Sequence, residues 1–378
     1  MKKILVIVLF IAAVGICSFN TGKISTGDAW YSDTLRALYL QPSGKWPAPF
    51  IDSGVSWKEL GMLPESPLYQ NADSVKQLVH LGKMLFFDPR LSGSGQISCA
   101  SCHVPDMSWT DGRERAVGHD QQLGKRNTPS LSNIWASPKL FWDGRANTLE
   151  DQAYGPVNND IEMHGSMPQV PATLGKIAEY KKLFANAYGS EEINVDRIAH
   201  AIATYERTLV SRKSDFDYFM QGDAGKLSDA ALRGLHLFRT RARCMNCHNG
   251  PLFTDNQFHN VGLTYYGREF EDLGLYKVTG KAAHVGQFKT PSLRDVMRTR
   301  PWMHNGLFDD IDGVLNMYNA GMPQSKPKPE QVKDTLFPKT DPLLRKLNLT
   351  KEERQDIVAF MNAITAQPWK VRIPVLPK

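Results

Sequence analysis

Cys99-Ala100-Ser101-Cys102-His103 and Cys244-Met245-Asn246-Cys247-His248 decide the reading of this chain. Each is C-x-x-C-H, the attachment pattern of a c-type haem. Two thiols bond covalently to the haem vinyl groups, and the adjacent His reaches the iron as its proximal ligand. A tight C-x-x-C turn presents both sulfurs to one porphyrin edge, and the next residue is carried beneath the ring. Two other uses of paired cysteines fit less well. Zinc favours two close C-x-x-C knuckles, whereas these lie more than a third of the chain apart. A redox disulfide does not require a His directly after each pair. The expectation is two covalent haems, held by Cys99, Cys102 and His103 and by Cys244, Cys247 and His248.

The sequence around the two motifs repeats as well. Gly82-Lys83-Met84-Leu85-Phe86 before the first echoes Gly234-Leu235-His236-Leu237-Phe238 before the second. Thr128-Pro129-Ser130-Leu131 after the first echoes Thr290-Pro291-Ser292-Leu293 after the second. From each of those Thr residues, sixteen positions onward, lies a Gly: Gly144 after Phe141-Trp142-Asp143, and Gly306 after Met303-His304-Asn305. A copy with the same internal spacing predicts an internal duplication. The two units are 74–226 and 227–378, divided at a Gly/Asp-containing stretch near Gln221 to Lys226.

Apolar stripes at helical spacing run through both units. Val75, Leu78, Val79, Leu85 and Phe86 form one. Ile198, Ile202, Tyr205 and Leu209 form a second, and Leu232, Leu235 and Phe238 a third. Thr350 with Glu353 is a capping box, and it opens a helix burying Ile357, Phe360, Met361 and Ile364. No convincing set of alternating strands is legible, so the fold class is mainly α. Residues 21–73, rich in Pro, Gly, Ser and Trp, read as an irregular N-terminal extension lying over the domain surface.

The 378 residues are ample for real cores and suggest two or three domains. Residues 1–20 read as a secretory signal: Lys2 and Lys3, then the apolar run Ile4 to Ile16. That run is short for a membrane span. Cys17 closes it where a lipoprotein carries its lipidated cysteine, although Ile16 is a poor residue before such a cleavage. Periplasmic export, freely or through a lipid anchor at Cys17, agrees with c-type haem. The net charge of +6 is modest and scattered, which argues against nucleic acid as a partner. A weakly basic surface suits an acidic electron-carrier protein.

At this point the sequence resembles the bacterial di-haem cytochrome c peroxidase family, which includes the MauG-like enzymes. The landmarks are Leu81 to Asp88, both haem motifs, Gly124-Lys125-Arg126-Asn127-Thr128-Pro129, Phe141-Trp142-Asp143-Gly144-Arg145 and Thr299-Arg300-Pro301-Trp302-Met303-His304-Asn305-Gly306. The resemblance covers nearly everything after residue 74. It implies two cytochrome-c-like haem domains related by the duplication, with a calcium ion between them, and commonly a homodimer.

It also implies roles. The first haem is the peroxide site and Glu162 its catalytic carboxylate, able to move a proton between the peroxide oxygens. Gln152 matches a polar pocket residue. His119 matches the detachable sixth ligand of the classical peroxidases, and Trp142 the aromatic residue between the haems. Asn127, with the backbone carbonyls of Thr299 and Pro301, matches the calcium ligands, an oxygen-only set that a hard cation prefers. The second haem receives electrons. Its sixth ligand is open among Tyr318, Met317 and Met322; classical peroxidases put Met at the Tyr318 position and MauG-like proteins put Tyr there. From the residues alone, Glu162 reads as a solvated loop carboxylate, Gln152 as an exposed helix residue, His119 as a surface imidazole and Trp142 as core packing.

The function implied is a periplasmic peroxidase that reduces hydrogen peroxide to water with electrons from a small redox protein, a cytochrome c or cupredoxin. The rivals are a MauG-like oxidase that modifies a protein and a non-catalytic di-haem electron carrier.

Overall fold

Two helix crossings organise the chain. In the computed structural model, which describes residues 29–68 and 73–378, the Lys76–Phe87 helix crosses the Val195–Glu206 helix, and Asp229–Arg239 crosses Lys351–Ala363. The crossings are close because each has a glycine at its centre. A Cβ on Gly82 would lie 1.9 Å from the Ala201 carbonyl oxygen and 2.9 Å from the Tyr205 Cβ. A Cβ on Gly234 would lie 1.9 Å from the Asp356 carbonyl oxygen and 2.9 Å from the Phe360 Cβ. Only glycine lets the backbones approach this far.

The expected Thr350–Glu353 capping box and two further side-chain caps start three of these four helices. The Thr350 and Glu353 side chains and backbones bond reciprocally, at 3.2 and 2.8 Å. Asn194 caps Val195–Glu206 through the Arg197 N–H at 2.9 Å, and Ser228 caps Asp229–Arg239 through the Ala231 N–H at 3.2 Å. Strand is sparse, as expected: among the described residues the one sheet pairs Phe258–His259 with Phe288–Lys289, antiparallel.

Two hydrophobic cores follow. The first gathers Leu81, Leu85, Phe86, Tyr180, Phe184, Ile198 and Ile202. The second gathers Leu232, Leu235, Phe238, Phe253, Ile357 and Phe360. In the second, Phe238 and Phe360 meet edge-to-face at 5.4 Å and Phe216 and Phe253 at 5.7 Å. Each fully buried Phe contributes about 1.5–3 kcal/mol by its burial.

The structure corrects two sequence expectations. Of the expected 21–73 extension, the described residues 29–68 are more than an irregular cover. Ala29–Tyr39 is a helix, and Leu35, Tyr39, Trp46 and Leu60 are part of the second core. Arg239, wholly buried, draws this segment in: it bonds Glu59 and donates to the Pro47 carbonyl at 2.6 Å. A buried guanidinium requires such partners, and distant chain supplies them. The boundary near 221–226 also moves. Phe216 and Phe219 already pack in the second core, and the Asp215–Met220 helix is pinned there by a buried Arg294–Asp217 pair at 2.6 Å. Conversely, Val371 and Leu376 of the C-terminal tail return to the first core. The expected signal segment, including Cys17, lies outside the described residues. Among the described residues no helix is long and apolar enough to cross a membrane.

Candidate haem sites

Both C-x-x-C-H stretches form tight turns just beyond their helix crossings. The His103 N–H donates to the Cys99 carbonyl at 2.9 Å, and the His248 N–H to the Cys244 carbonyl at 2.8 Å. Each imidazole then engages one nitrogen with the backbone: His103 Nδ1 lies 2.9 Å from the Trp109 carbonyl and His248 Nδ1 3.0 Å from the Phe253 carbonyl. That leaves Nε2 for a metal, the usual orientation of a ligating His. The four described cysteines are unpaired, and burial pushes the Cys99 and Cys244 thiols up to about 12. Free thiols beside a pre-oriented imidazole fit covalent haem at both places.

Around the first site the structure brings Glu162 and His119 together. Cys102 is pushed up to about 11 by burial, then by Asp111 and by Glu162, so the Glu162 carboxylate lies near this thiol. Asn159 Nδ2 donates to Glu162 Oε1 at 2.9 Å. Burial raises the Glu162 carboxyl above its ordinary range, and Arg145 works against that rise. The His119 N–H bridges the Ile161 and Glu162 carbonyls, each at 2.9 Å. Gly118 permits this contact, since a Cβ there would lie 2.0 Å from the Ile161 oxygen. The His119 ring stacks on His164, with centroids 4.3 Å apart and planes within 8°. Gln152 is half-buried on the Leu149–Asn158 helix.

A cavity of about 310 Å³ runs from Cys244, Cys247 and His248 to Trp142, and Tyr318 borders it. Met317 and Met322 are not among the residues lining it. Tyr318 lies close to both cysteines, and burial holds its phenol well above the ordinary range. Trp142 spans the two halves of the chain: its indole donates to the Asn127 carbonyl at 2.9 Å, and its own carbonyl accepts from the Lys289 N–H at 2.9 Å. Asn127, Thr299 and Pro301 border the same cavity. Asn127 Nδ2 donates to the Arg113 carbonyl at 2.8 Å, which leaves the amide oxygen for a cation. Arg126 clamps this region, bonding Asp143 and Asp272 at 2.6 Å each.

This arrangement can be compared with known proteins. A family model for di-haem cytochrome c peroxidase matches residues 76–225. The chain is 38% identical to methylamine utilization protein MauG of Methylorubrum extorquens, over 83% of this chain and 86% of the relative. It is 36% identical to cytochrome c551 peroxidase of Nitrosomonas europaea, over 82% and 84%. The chain belongs to the di-haem cytochrome c peroxidase family. The fold agrees: the crystal structure of a MauG-like protein associated with microbial copper homeostasis superposes with a TM-score of 0.69 at 29% identity, covering 85% of this chain and 93% of that one. As in any di-haem cytochrome c peroxidase, membership implies two c-type haems and a peroxidase-type oxidoreductase.

Against that family background, four polar groups beside the haem sites stand out that sequence reasoning missed. His259 bonds Asp341 at 2.6 Å through Nδ1 and Asp255 at 2.9 Å through Nε2, next to Cys247. Burial disfavours its charge, but the two carboxylates outweigh that and raise it to about 12. No motif spacing announces a triad drawn from 255, 259 and 341. His304 stacks on Phe288 at 3.6 Å and meets Trp142 edge-on at 6.5 Å, and burial lowers it to about 3. Its signal was present, because it stands two residues before Gly306 as Trp142 does before Gly144. Glu206 is buried near Cys99, with one oxygen unpartnered, and burial raises it to about 8. Asp111 stands beside Cys102, also with an unpartnered oxygen.

Proposed function

We propose that the chain is an exported di-haem peroxidase that reduces hydrogen peroxide to two waters at the His103 site. Its electrons come from a small redox protein, a cytochrome c or cupredoxin, and arrive at the His248 site. The observation that carries this reading is the Glu162–His119 arrangement: a carboxyl in a desolvated pocket, with the backbone N–H of His119, the candidate gating residue, donating to the Glu162 backbone carbonyl. The chemistry supplied by the haems when bound is cleavage of the O–O bond and storage of electrons.

The chain's own residues do the rest. Glu162 takes the proton from one peroxide oxygen and delivers it to the other, so that the departing oxygen leaves as water. Asn159 holds that carboxylate in place, and Gln152 orients peroxide. Trp142 gives the electron a conjugated path between the halves. Asn127, Thr299 and Pro301 hold calcium and keep Trp142 in register. Tyr318, which borders the cavity beside Cys244 and Cys247, would be the second haem's further iron-holding residue besides His248. His119, whose ring stacks on His164, would be the residue that blocks the first iron in the oxidised protein. The matched helix crossings support reading the two halves of the chain, one around each crossing, as copies of one cytochrome-c-like unit. The family commonly forms homodimers, and a dimer is part of the proposal.

Tyr318 favours a second reading. A phenolate ligand stabilises ferric iron, which suits a MauG-like oxidase that modifies a protein. Steady-state peroxide consumption with a reduced small cytochrome separates the two. Sustained turnover supports the peroxidase, and peroxide binding without turnover supports the oxidase. No reaction of either iron with peroxide leaves an electron carrier.

A further inference from the structure

A second cavity, of about 300 Å³, opens between the Lys76–Phe87 helix, the loop after Val195–Glu206 and the C-terminal tail. Its charged lining is one-signed: Lys83, Lys370 and Arg372, with no carboxylate among the lining residues. Burial and the neighbouring Arg372 both lower Lys83 below its ordinary range, so the positive charge there is crowded and uncompensated. Its remaining notable walls are Trp109, Tyr205 and Trp369.

These three rings border one cavity, with Trp109 and Tyr205 at its buried end and Trp369 at its exposed end. The Trp109 carbonyl accepts from the proximal imidazole of His103 at 2.9 Å. The Trp109 ring is buried and lies 6.3 Å from the Tyr205 ring. Trp369 is 55% exposed, an unfavourable place for an indole, yet it is fixed there. Its Nε1 donates to the Val210 carbonyl at 2.9 Å, and the Arg212 guanidinium sits 5.0 Å over its ring. Indole and phenol are the side chains that most readily give up one electron. A cationic groove of this volume, walled by such residues and backed by the candidate haem ligand His103, offers both charge and ring surface to an anionic aromatic molecule.

We propose that this groove is a second oxidation site, where a small phenol carrying a carboxylate gives up one electron through Trp369, Tyr205 and Trp109 to the first haem. The proposal rests on the peroxidase reading, which supplies peroxide as the oxidant. Per turnover the O–O bond of one peroxide breaks, two phenols each lose one electron and one proton, and the products are two waters and two phenoxyl radicals. The cationic side chains hold the carboxylate, and the exposed indole meets the ring.

The experiment uses the di-haem protein with ferulate as the anionic phenol and its methyl ester as the neutral control. Ferulate should quench Trp369 fluorescence and be oxidised when peroxide is added. Arg372→Glu and Lys370→Glu, both at exposed positions, should weaken ferulate binding by about tenfold or more, as expected for losing a charge-assisted contact. They should leave the methyl ester unaffected. Trp369→Phe should bring ferulate oxidation to background and remove a peroxide-generated tryptophan radical seen by electron paramagnetic resonance, with turnover on a reduced cytochrome unchanged. Ferulate oxidation at the wild-type rate in Trp369→Phe overturns the proposal. So does an enzyme that consumes peroxide with a cytochrome yet neither binds nor oxidises ferulate. If no donor supports peroxide consumption, the peroxidase reading fails, and ferulate binding that Arg372→Glu abolishes still upholds the groove as an anion site.

Discussion

Replacing Glu162 with Gln is the sharpest test of the peroxide chemistry. The two side chains have nearly the same shape, and the bond that positions Glu162 survives the change. Asn159 Nδ2, now 2.9 Å from Oε1, can donate equally to the amide oxygen of Gln. The His119 contact is to the Glu162 backbone carbonyl and is untouched. What is lost is the ability to take up and return a proton. General acid–base catalysis contributes about 10²–10⁴-fold, which corresponds to about 2.7–5.4 kcal/mol of barrier. Glu162→Gln should therefore carry two haems by mass spectrometry, melt near the wild-type temperature, and cleave peroxide about 10²–10⁴-fold more slowly in stopped-flow single turnovers. The pH dependence gives a second readout. Burial raises the Glu162 carboxyl, and the base form must be ionised to accept the first proton. The wild-type rate should fall as pH drops through that raised pKa, at a higher pH than an ordinary glutamate would give, and the variant should lack this acid limb. A di-haem variant with wild-type rates and the wild-type pH profile refutes the role of Glu162.

Four further outcomes are expected. Thorough calcium removal should lower peroxide turnover and added calcium should restore it; unchanged haem spectra and turnover after chelation remove calcium from the Asn127, Thr299 and Pro301 site. His119→Gly should give an oxidised protein that reacts with peroxide without prior reduction, and equal rates in oxidised wild type would show that His119 is no gate. Tyr318→Met should raise the reduction potential of the second haem in spectroelectrochemical titration, whereas an unchanged potential would show that Tyr318 is not a ligand. Gly234→Ala gains about 1 kcal/mol of helix propensity, yet its Cβ would lie 1.9 Å from the Asp356 oxygen; overpacking of about 1–3 kcal/mol or more should win, so the melting temperature should fall rather than rise.

The sequence alone determined the chemistry-bearing positions that are local. Thiol, thiol and imidazole in five residues form a unit whose geometry is set by one turn, so the C-x-x-C-H stretches announced both haem sites without reference to the rest of the chain. The helices were legible for the same reason: the 3.6-residue period and the Thr350–Glu353 capping box are local regularities. Tertiary structure decided what depends on distant chain. The buried charge of Arg239 found its partners in residues 47 and 59, which drew an extension that reads as irregular into the second core. Phe216 and Phe219 joined that core across the expected boundary because Arg294 needs Asp217 beside it. The Asp255–His259–Asp341 triad and the groove between Lys83 and Trp369 join residues 86 and 286 positions apart. No periodicity encodes such meetings. They arise because a buried charge must be paired and an apolar face must be covered, and the partners that meet those demands are fixed only once the whole chain has packed.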